Sequence, residues 1–253
     1  MTIVATGATE KGCGGLQVVF VDLKASVALL EAAERDVPRL SATDNARVQK
    51  LAHDPQRQRL WQSSRIATRI VLERALGTAY RNIDFEIAKN GRPSFGDGPP
   101  YFNVSHSGGA ALIAVSDAVP IGIDLEEARR LKMTEDRRRR VIAAAARLAN
   151  GQPATSRSDA NLDVLRAWVR LEAAAKALGT GIGQLLTEEG VVGGKPADSD
   201  RATAASRLDV RNLDVASGYI AAVAAPTLPM KIEVLTLPND ADALTEFLTC
   251  ART

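Results

Sequence analysis

The feature that most constrains this chain is the run from Tyr101 to Glu126, which reads YFNVSHSGGAALIAVSDAVPIGIDLE. It ends with two carboxylates, Asp124 and Glu126, two positions apart in an apolar, strand-like segment. Alternate residues of a strand share one face, so both carboxylates are expected to point the same way. An acidic pair beside Ile123 and Leu125 is costly to bury unless it is paired or binds a cation. The pattern is therefore either a solvated strand edge or a cation site.

A second pair of charged residues follows later in the chain on a helical pattern. In the segment AWVRLEAAAKALGTG, Glu172 and Lys176 are four positions apart and share one helix face. Such a pair is also common as a simple ion pair on exposed helices. If all three carboxylates and the lysine converge, they form a site suited to magnesium and phosphate chemistry, because Mg²⁺ prefers hard oxygen ligands.

Composition is that of an ordinary globular chain. The protein has 253 residues, 45% of them hydrophobic, and a formal net charge of +2, which does not call for nucleic acid or a membrane as partner. The apolar run LQVVFVDLKASVALL is interrupted by Asp22 and Lys24 and has no basic leader, so no export signal is expected. Cys13 and Cys250 lack metal-ligand spacing, and we interpret both as reduced thiols of a cytoplasmic protein.

Local patterns predict helices and strands in both halves of the chain. A strand is predicted at 16–23, a helical region at 44–76 that ends at Gly77, a helix at 162–178, and late strands at 219–225 and 231–237. The apolar runs at 110–116 and 120–126 are separated by a turn around Asp117, so we expect them to be neighbouring strands.

The two charged motifs together resemble those of the Sfp-type 4'-phosphopantetheinyl transferases. The signature of that family is a GxDxE strand followed by a WxxKEAxxKxxGxG helix. In this chain the first motif spans residues 122–126 and the second spans residues 168–181. Their order and spacing, with FNVSHSGG and NGRPSF upstream, carry the resemblance.

The resemblance implies an α+β fold made of two pseudo-symmetric subdomains. Each would be a small antiparallel sheet packed with helices, with the active site in the cleft between them. We place the subdomains at residues 1–117 and 118–253, the second carrying the metal-binding motifs. A monomer is sufficient for such an internally duplicated enzyme.

The activity implied is that of a holo-[acyl-carrier-protein] synthase. Such an enzyme transfers the 4'-phosphopantetheine arm of coenzyme A to a serine hydroxyl of an apo acyl or peptidyl carrier protein, requires Mg²⁺ and releases adenosine 3',5'-bisphosphate. It serves fatty acid, polyketide or nonribosomal peptide biosynthesis. Asp124, Glu126 and Glu172 would be the metal ligands. Glu172 would also activate the serine hydroxyl as a base, and Lys176 would neutralise a phosphate oxygen or protonate the leaving phosphate.

The resemblance places further coenzyme A contacts in the first half. Ser105 and His106 match a Ser-His pair that touches the coenzyme A phosphates. Arg92, in NGRPSF, stands where the family has a lysine, and Arg65 would lie near the nucleotide. For Arg69 an exposed helix charge is nearly as good an interpretation.

Two features depart from the family pattern. Leu171 replaces the lysine that usually precedes the motif glutamate, and Arg170 need not replace that charge because one residue is about 100° of helix rotation. The aromatic FF-and-acid segment that contributes to carrier docking in relatives is also absent. The basic residues at 129–132 and 137–140 could supply a complementary rim for an acidic carrier, although a solvated helix face is the simpler interpretation of 137–140.

Two rival functions stay open, and these departures motivate the first of them. The first is a non-catalytic relative that binds coenzyme A or a carrier without transfer. The second is a magnesium-dependent hydrolase of nucleotides or pantetheine phosphates. A serine hydrolase using Ser105 or Ser107 is disfavoured, because adjacent residues of an extended chain point apart and no GxSxG turn is present.

Overall fold

The computed structural model describes residues 15–88, 91–149, 160–193 and 204–249, and this part of the chain contains nine strands and seven helices. The strands are β1 (Leu16–Asp22), β2 (Glu86–Ile87), β3 (Pro93–Ser94), β4 (Tyr101–Ser107), β5 (Ala110–Ser116), β6 (Gly122–Glu127), β7 (Asp209–Leu213), β8 (Tyr219–Ala225) and β9 (Val234–Thr236). The helices are α1 (Leu23–Asp36), α2 (Ala42–Lys50), α3 (Pro55–Leu76), α4 (Glu135–Leu148), α5 (Ala160–Leu178), α6 (Ile182–Glu188) and α7 (Ala241–Thr249). The α+β prediction is confirmed. Cys13 and Cys250 lie outside the described residues.

The strands form two main sheets. The first has the order β4-β5-β1-β9 and is antiparallel except for the parallel pair β1 and β9. The second has the order β6-β8-β7 and is antiparallel throughout. The prediction that 110–116 and 120–126 are neighbouring strands is therefore wrong. β5 pairs with β4 and β1, whereas β6 starts the second sheet.

The two sheets pack face to face, with helices on their outer sides. Helices α1, α3 and α7 cover the first sheet, and α4, α5 and α6 cover the second. A third apolar cluster fills the space between the sheets. β5 is buried along its whole length because both of its faces are covered. This explains why it is a continuous apolar run rather than an alternating one.

The end of the described chain returns to the first sheet. β9 pairs with β1, and Leu237 and Leu244 are buried in the core beneath α3. The guanidinium of Arg74 lies 4.1 Å from the ring centroid of Phe247 on α7. The division into subdomains at residues 1–117 and 118–253 stays a prediction, and residues 234–249 of the second range pack against the first sheet.

The predicted helical region at 44–76 consists of two helices, α2 and α3. Pro55 occupies the first turn of α3, where its missing N–H is not needed, and Asp54 caps the helix by accepting a bond from Arg57 N–H at 3.1 Å. The helix ends at Gly77 with φ +95°, a backbone conformation that favours glycine. That end was predicted.

The two sheets are joined along β4 and β6, which are edge strands of different sheets. Three β4 side chains accept hydrogen bonds from the N–H groups of alternate residues on the outer edge of β6. The bonds run from Ile123 to Asn103 Oδ1 at 3.1 Å, from Leu125 to Ser105 Oγ at 3.2 Å, and from Glu127 to Ser107 Oγ at 3.1 Å. Side chains thus satisfy a strand edge that would otherwise need another strand or water.

Helix α5 lies directly against β6 at Gly122. A Cβ atom at this position would be 2.1 Å from the carbonyl oxygen of Ala173 and 2.3 Å from the backbone nitrogen of Ala177. Only glycine permits so close an approach of helix and strand backbones. The glycine of the first motif therefore has a packing role, because it lets α5 come close to the carboxylates of β6.

We expect Gly122→Ala to destabilise the chain by about 1–3 kcal/mol, because the added methyl group would meet helix backbone that cannot move independently of α5. Urea denaturation measures the change in unfolding free energy. Gly183→Ala on α6 is the matched control, since a Cβ atom there has no neighbour within 4 Å. Equal stability of the two variants would contradict the prediction.

Candidate active site

Side chains from β4, β6 and α5 meet at the Asp124 carboxylate. The Lys176 ammonium donates to Asp124 Oδ1 at 2.7 Å and to Ser105 Oγ at 3.1 Å. The Ser105 hydroxyl donates to the same Asp124 oxygen at 2.9 Å. Asp124 is 5% exposed, so these contacts lie almost out of solvent. Strand β6 and helix α5 thus bring parts of both sequence motifs together.

The second oxygen of Asp124 has no partner. Its Oδ2 atom is buried and makes no hydrogen bond to any described residue. Burial raises the pKa of Asp124 above its ordinary value, although the charge of Lys176 and the bond from Ser105 oppose that rise. An unpaired buried carboxylate oxygen is costly, so this atom is suited to a ligand or cation.

Glu172 stands on α5 one turn before Lys176 and is half-buried. Burial and the negative charge of Asp124 raise the pKa of Glu172 to about 6, with Lys176 acting in the opposite direction. A carboxyl group whose pKa lies near neutrality is suited to accept and release a proton.

Glu126 lies at the outer end of the same strand face. Its Oε2 atom accepts a hydrogen bond from the Ser107 hydroxyl at 3.1 Å and one from Arg129 Nη2 at 3.1 Å. The Glu126 side chain is 20% exposed, against 8% for that of Asp124. Solvent exposure along this face therefore increases from Asp124 to Glu126.

The three carboxylates are chemically suited to a magnesium ion. Over residues 15–88, 91–149, 160–193 and 204–249, no group of three or more His, Cys, Asp and Glu side chains is arranged as a complete ligand set. The prediction that Asp124, Glu126 and Glu172 bind magnesium therefore stays a prediction. The donors are nevertheless all hard oxygens, and their mutual repulsion contributes to the raised pKa values of Asp124 and Glu172. Magnesium usually keeps several waters, so two or three carboxylates are sufficient.

His106 follows Ser105 on β4 and is exposed. Its pKa is lowered because neighbouring protein displaces part of the hydration of the ring, and because the charges of Lys176 and Arg65 act on it. The predicted phosphate contact of Ser105 stays a prediction. Its hydroxyl hydrogen and both of its lone pairs are used by Asp124, Lys176 and the N–H of Leu125.

Arg65 and Arg69 both pair with Asp44, but through different oxygens of its carboxylate. Arg65 Nε lies 3.3 Å from Asp44 Oδ1, and its guanidinium lies 5.0 Å and 4.9 Å from the ring centroids of Trp61 and Phe85. Arg69 is 2% exposed and donates to Asp44 Oδ2 at 2.6 Å. The interpretation of Arg69 as an exposed helix charge is wrong, because its partner Asp44 lies in a preceding helix and makes burial possible.

Arg92 bonds to backbone carbonyl groups. Its guanidinium donates to the carbonyl oxygen of Lys176 at 2.9 Å and to that of Ile121 at 3.1 Å. Burial lowers the pKa of Arg92. The residue thus ties the end of α5 to the segment that enters β6, and its predicted phosphate contact stays a prediction.

The positions beside Glu172 face away from the site. Leu171 is fully buried in the apolar cluster to which α4, α5, α6 and the second sheet contribute. Arg170 is 4% exposed, and its Nε donates to Asn212 Oδ1 on β7 at 2.7 Å. As expected from helix rotation, Arg170 does not replace the lysine that the family has at position 171.

A cavity of about 470 Å³, which we name the basic pocket, opens at Arg129 and Trp168, near the carboxylate cluster but not lined by it. Its lining combines four cationic and three apolar side chains: Arg129, Arg130, Leu131, Lys132, Met133, Arg137 and Trp168. The cavity is next to the site because Arg129 bonds to Glu126 and Trp168 lies one turn before Glu172.

The remaining arginines of α4 point elsewhere. Arg138, Arg139 and Arg140 pair within the helix with Glu135 or Asp136 at 2.9–3.9 Å. Arg139 is largely exposed, which agrees with a solvated helix face, whereas the Arg138 side chain is only 17% exposed. The sequence patterns missed the grouping of Arg137 with Trp168, because it depends on how α4 and α5 pack together.

Comparison with curated proteins gives a similarity that covers part of the chain. No protein-family model matches this chain. A Synechocystis protein named "Putative 4'-phosphopantetheinyl transferase" is 34% identical over 90 residues, which are 34% of this chain and 36% of that protein. The chain therefore matches only about a third of that relative's length. The match supports a general likeness to 4'-phosphopantetheinyl transferases without singling out the Sfp type. Among the described helices, none combines the length and apolar character that crossing a membrane requires.

Without divalent cations, we expect Glu172→Gln to stabilise the folded chain more at about pH 7 than at about pH 5. The pKa of Glu172 is about 6 in the folded chain and about 4.3 in an unfolded one. Between these values the folded state binds more protons, so the wild type loses stability as pH rises through this window. Glutamine cannot ionise and escapes that loss. Urea denaturation in the presence of a chelator measures the difference.

The matched control is Glu246→Gln, which removes an exposed carboxylate of α7 away from the site. The prediction is contradicted if the stability difference between Glu172→Gln and the wild type is the same at both pH values.

Proposed function

We propose that this chain transfers the 4'-phosphopantetheine arm of coenzyme A to a serine hydroxyl of an apo acyl or peptidyl carrier protein, as Sfp-type enzymes do. The main support is the convergence of Ser105, Asp124 and Lys176 from three elements, with Glu172 beside them. The partial similarity to a protein named "Putative 4'-phosphopantetheinyl transferase" supports the general activity.

The acidic residues would hold a magnesium ion. Asp124, Glu126 and Glu172 would be its protein ligands, and the unpaired Oδ2 of Asp124 is the best available donor atom. When bound, Mg²⁺ would neutralise charge on the pyrophosphate of coenzyme A.

Proton transfer falls to Glu172. With a pKa of about 6, this carboxyl group is mostly ionised at neutral pH and can take the proton of the serine hydroxyl, directly or through a water. The serine oxygen forms a bond to the β-phosphorus of coenzyme A. The bond from that phosphorus to the oxygen of adenosine 3',5'-bisphosphate breaks, and no covalent intermediate with this chain is needed.

Lys176, Arg65 and His106 would bind the phosphates and the nucleotide of coenzyme A. The Lys176 ammonium has three N–H donors, of which Ser105 and Asp124 accept two, so the third can donate to a phosphate oxygen or protonate the leaving phosphate. His106 and Arg65 would bind the nucleotide end of coenzyme A. Arg65 is already held between Asp44 and two aromatic rings. Binding of the nucleotide would therefore cost little conformational entropy of the Arg65 side chain.

The basic pocket is suited to the carrier protein. Arg130, Lys132 and Arg137 make no ion pair with any other described residue, so their charges are available to a partner. An acidic carrier helix would complement this rim, and the apolar Trp168 and Leu131 would provide contact area.

One observation favours a non-catalytic relative as the second candidate. Leu171 places an apolar core residue where the family has a lysine, so position 171 supplies no charge to the site. Such a relative would bind coenzyme A or a carrier protein without transferring phosphopantetheine.

We expect an apo carrier protein incubated with this chain, coenzyme A and Mg²⁺ to gain one phosphopantetheine group, and Glu172→Ala to abolish the gain by removing the base and a ligand. Intact-protein mass spectrometry measures the product. No gain with several carrier types, while coenzyme A still binds, would favour the non-catalytic relative. Release of a cleaved nucleotide without any carrier would instead indicate a hydrolase.

Reversing two charges of the basic pocket, in the double variant Arg130→Glu with Arg137→Glu, should raise KM for the carrier by about tenfold or more and leave the Kd for coenzyme A unchanged. Steady-state kinetics and calorimetric titration measure the two quantities. Arg139→Glu is the control, because Arg139 lies on α4 but does not line the pocket. An unchanged KM would rule out this docking surface.

A further inference from the structure

Two serines of β4 repeat the same bonding pattern against β6. Each hydroxyl accepts a hydrogen bond from a backbone N–H of β6 and donates one to the carboxylate of the preceding β6 residue. Ser105 accepts from Leu125 at 3.2 Å and donates to Asp124 at 2.9 Å. Ser107 accepts from Glu127 at 3.1 Å and donates to Glu126 at 3.1 Å. The pattern advances by two residues on both strands, so it follows the pleat.

Each serine fixes a carboxylate relative to the backbone that carries it. The hydroxyl oxygen is anchored by the β6 N–H group, and its single hydrogen is directed at the carboxylate oxygen one residue away. For Asp124 this leaves Oδ2 as the unpaired oxygen, because both Ser105 and Lys176 bond to Oδ1. The serine therefore helps to select which oxygen is free.

We propose that Ser105 and Ser107 are positioning residues that orient Asp124 and Glu126 for a divalent cation. This inference rests on the proposed function, because it assumes that these carboxylates bind the cation. The hydroxyls act from the opposite sheet and need not touch the ion or the substrate. They restrict the orientations of the carboxylates before the ion binds, so that binding costs less conformational entropy.

Asn103 provides a control that distinguishes orientation of the carboxylates from hydrogen bonding that only joins the two sheets. It stands two residues before Ser105 on β4 and accepts a hydrogen bond from Ile123 N–H at 3.1 Å, the same type of bond that the serines accept. The residue before Ile123 is Gly122, which has no side chain to orient. Asn103→Ala thus removes one bond between the sheets without removing a bond to a carboxylate.

The test is binding of Mn²⁺ alone, followed by the loss of the electron paramagnetic resonance signal of the free ion. Mn²⁺ is used because it prefers the same oxygen ligands as Mg²⁺. Ser105→Ala is expected to weaken binding by about tenfold, the usual size of losses when a residue that orients a metal ligand is removed. Ser105→Thr keeps the hydroxyl and should restore binding. Ser107→Ala should weaken it less, because Arg129 also bonds to Glu126.

Two controls accompany these variants. Asp124→Asn gives the electron paramagnetic resonance signal expected when the cation site is absent. Asn103→Ala is expected to lower the free energy of unfolding while leaving Mn²⁺ affinity unchanged. Thermal unfolding of every variant is recorded. If Ser105→Ala does not fold, the decision rests on Ser107→Ala, whose position is only half-buried.

The outcomes separate this inference from the proposed function. Wild-type affinity in Ser105→Ala, or in Ser107→Ala where that variant decides, overturns the inference. Equal losses in Ser105→Ala and Asn103→Ala also overturn it, since joining of the sheets alone would explain both. Wild-type binding no tighter than that of Asp124→Asn overturns both the cation site and the inference. Serine-dependent Mn²⁺ binding in a protein that transfers no phosphopantetheine supports the inference and counts against the proposed function alone.

Discussion

The contact between α5 and β6 at Gly122 is the constraint on which the site depends. The helix backbone approaches the strand so closely that any side chain at position 122 would collide with it. This approach brings Lys176 within hydrogen-bonding distance of Asp124, two residues further along β6. Arg92 reinforces the contact by bonding to the carbonyl groups of Lys176 and Ile121. A helix a few ångströms further out would leave Asp124 buried without a cationic partner, which is costly.

The charges that meet at this contact do not balance. Two cations, the ammonium of Lys176 and the more exposed guanidinium of Arg129, face the three carboxylates of Asp124, Glu126 and Glu172. The pKa of Glu172 rises to about 6 as a result of burial and the negative charges of Asp124 and Glu126. A structural ion pair would be better served by equal numbers of charges. An excess of buried acid lowers stability, and such arrangements cluster where a ligand or reaction uses them. The imbalance therefore favours function over simple stabilisation as the reason for this cluster.

The sequence predicted what depends on local periodicity and missed what depends on distant partners. The common face of Asp124 and Glu126 follows from the period of a strand, and the helix end at Gly77 follows from the conformation of glycine. A short turn at Asp117 is compatible with a hairpin or with a step between sheets, so the separation of β5 from β6 was not predictable from it. The burial of Arg69 depends on Asp44, and the return of β9 depends on pairing with β1 at the other end of the chain.

The hydrogen bonds between β4 and β6 connect the acidic residues to the residues proposed to bind the nucleotide. Ser105 bonds to Asp124, and His106, the next residue on β4, is influenced by the charges of Lys176 and Arg65. Consecutive residues of a strand point to opposite sides but move with one backbone. A displacement of β4 on binding a nucleotide near His106 would therefore also displace the hydroxyl that orients Asp124. The first sheet thus contributes the orientation of the acids, and the second sheet with α5 contributes the acids themselves, so the site requires both sheets to be packed together.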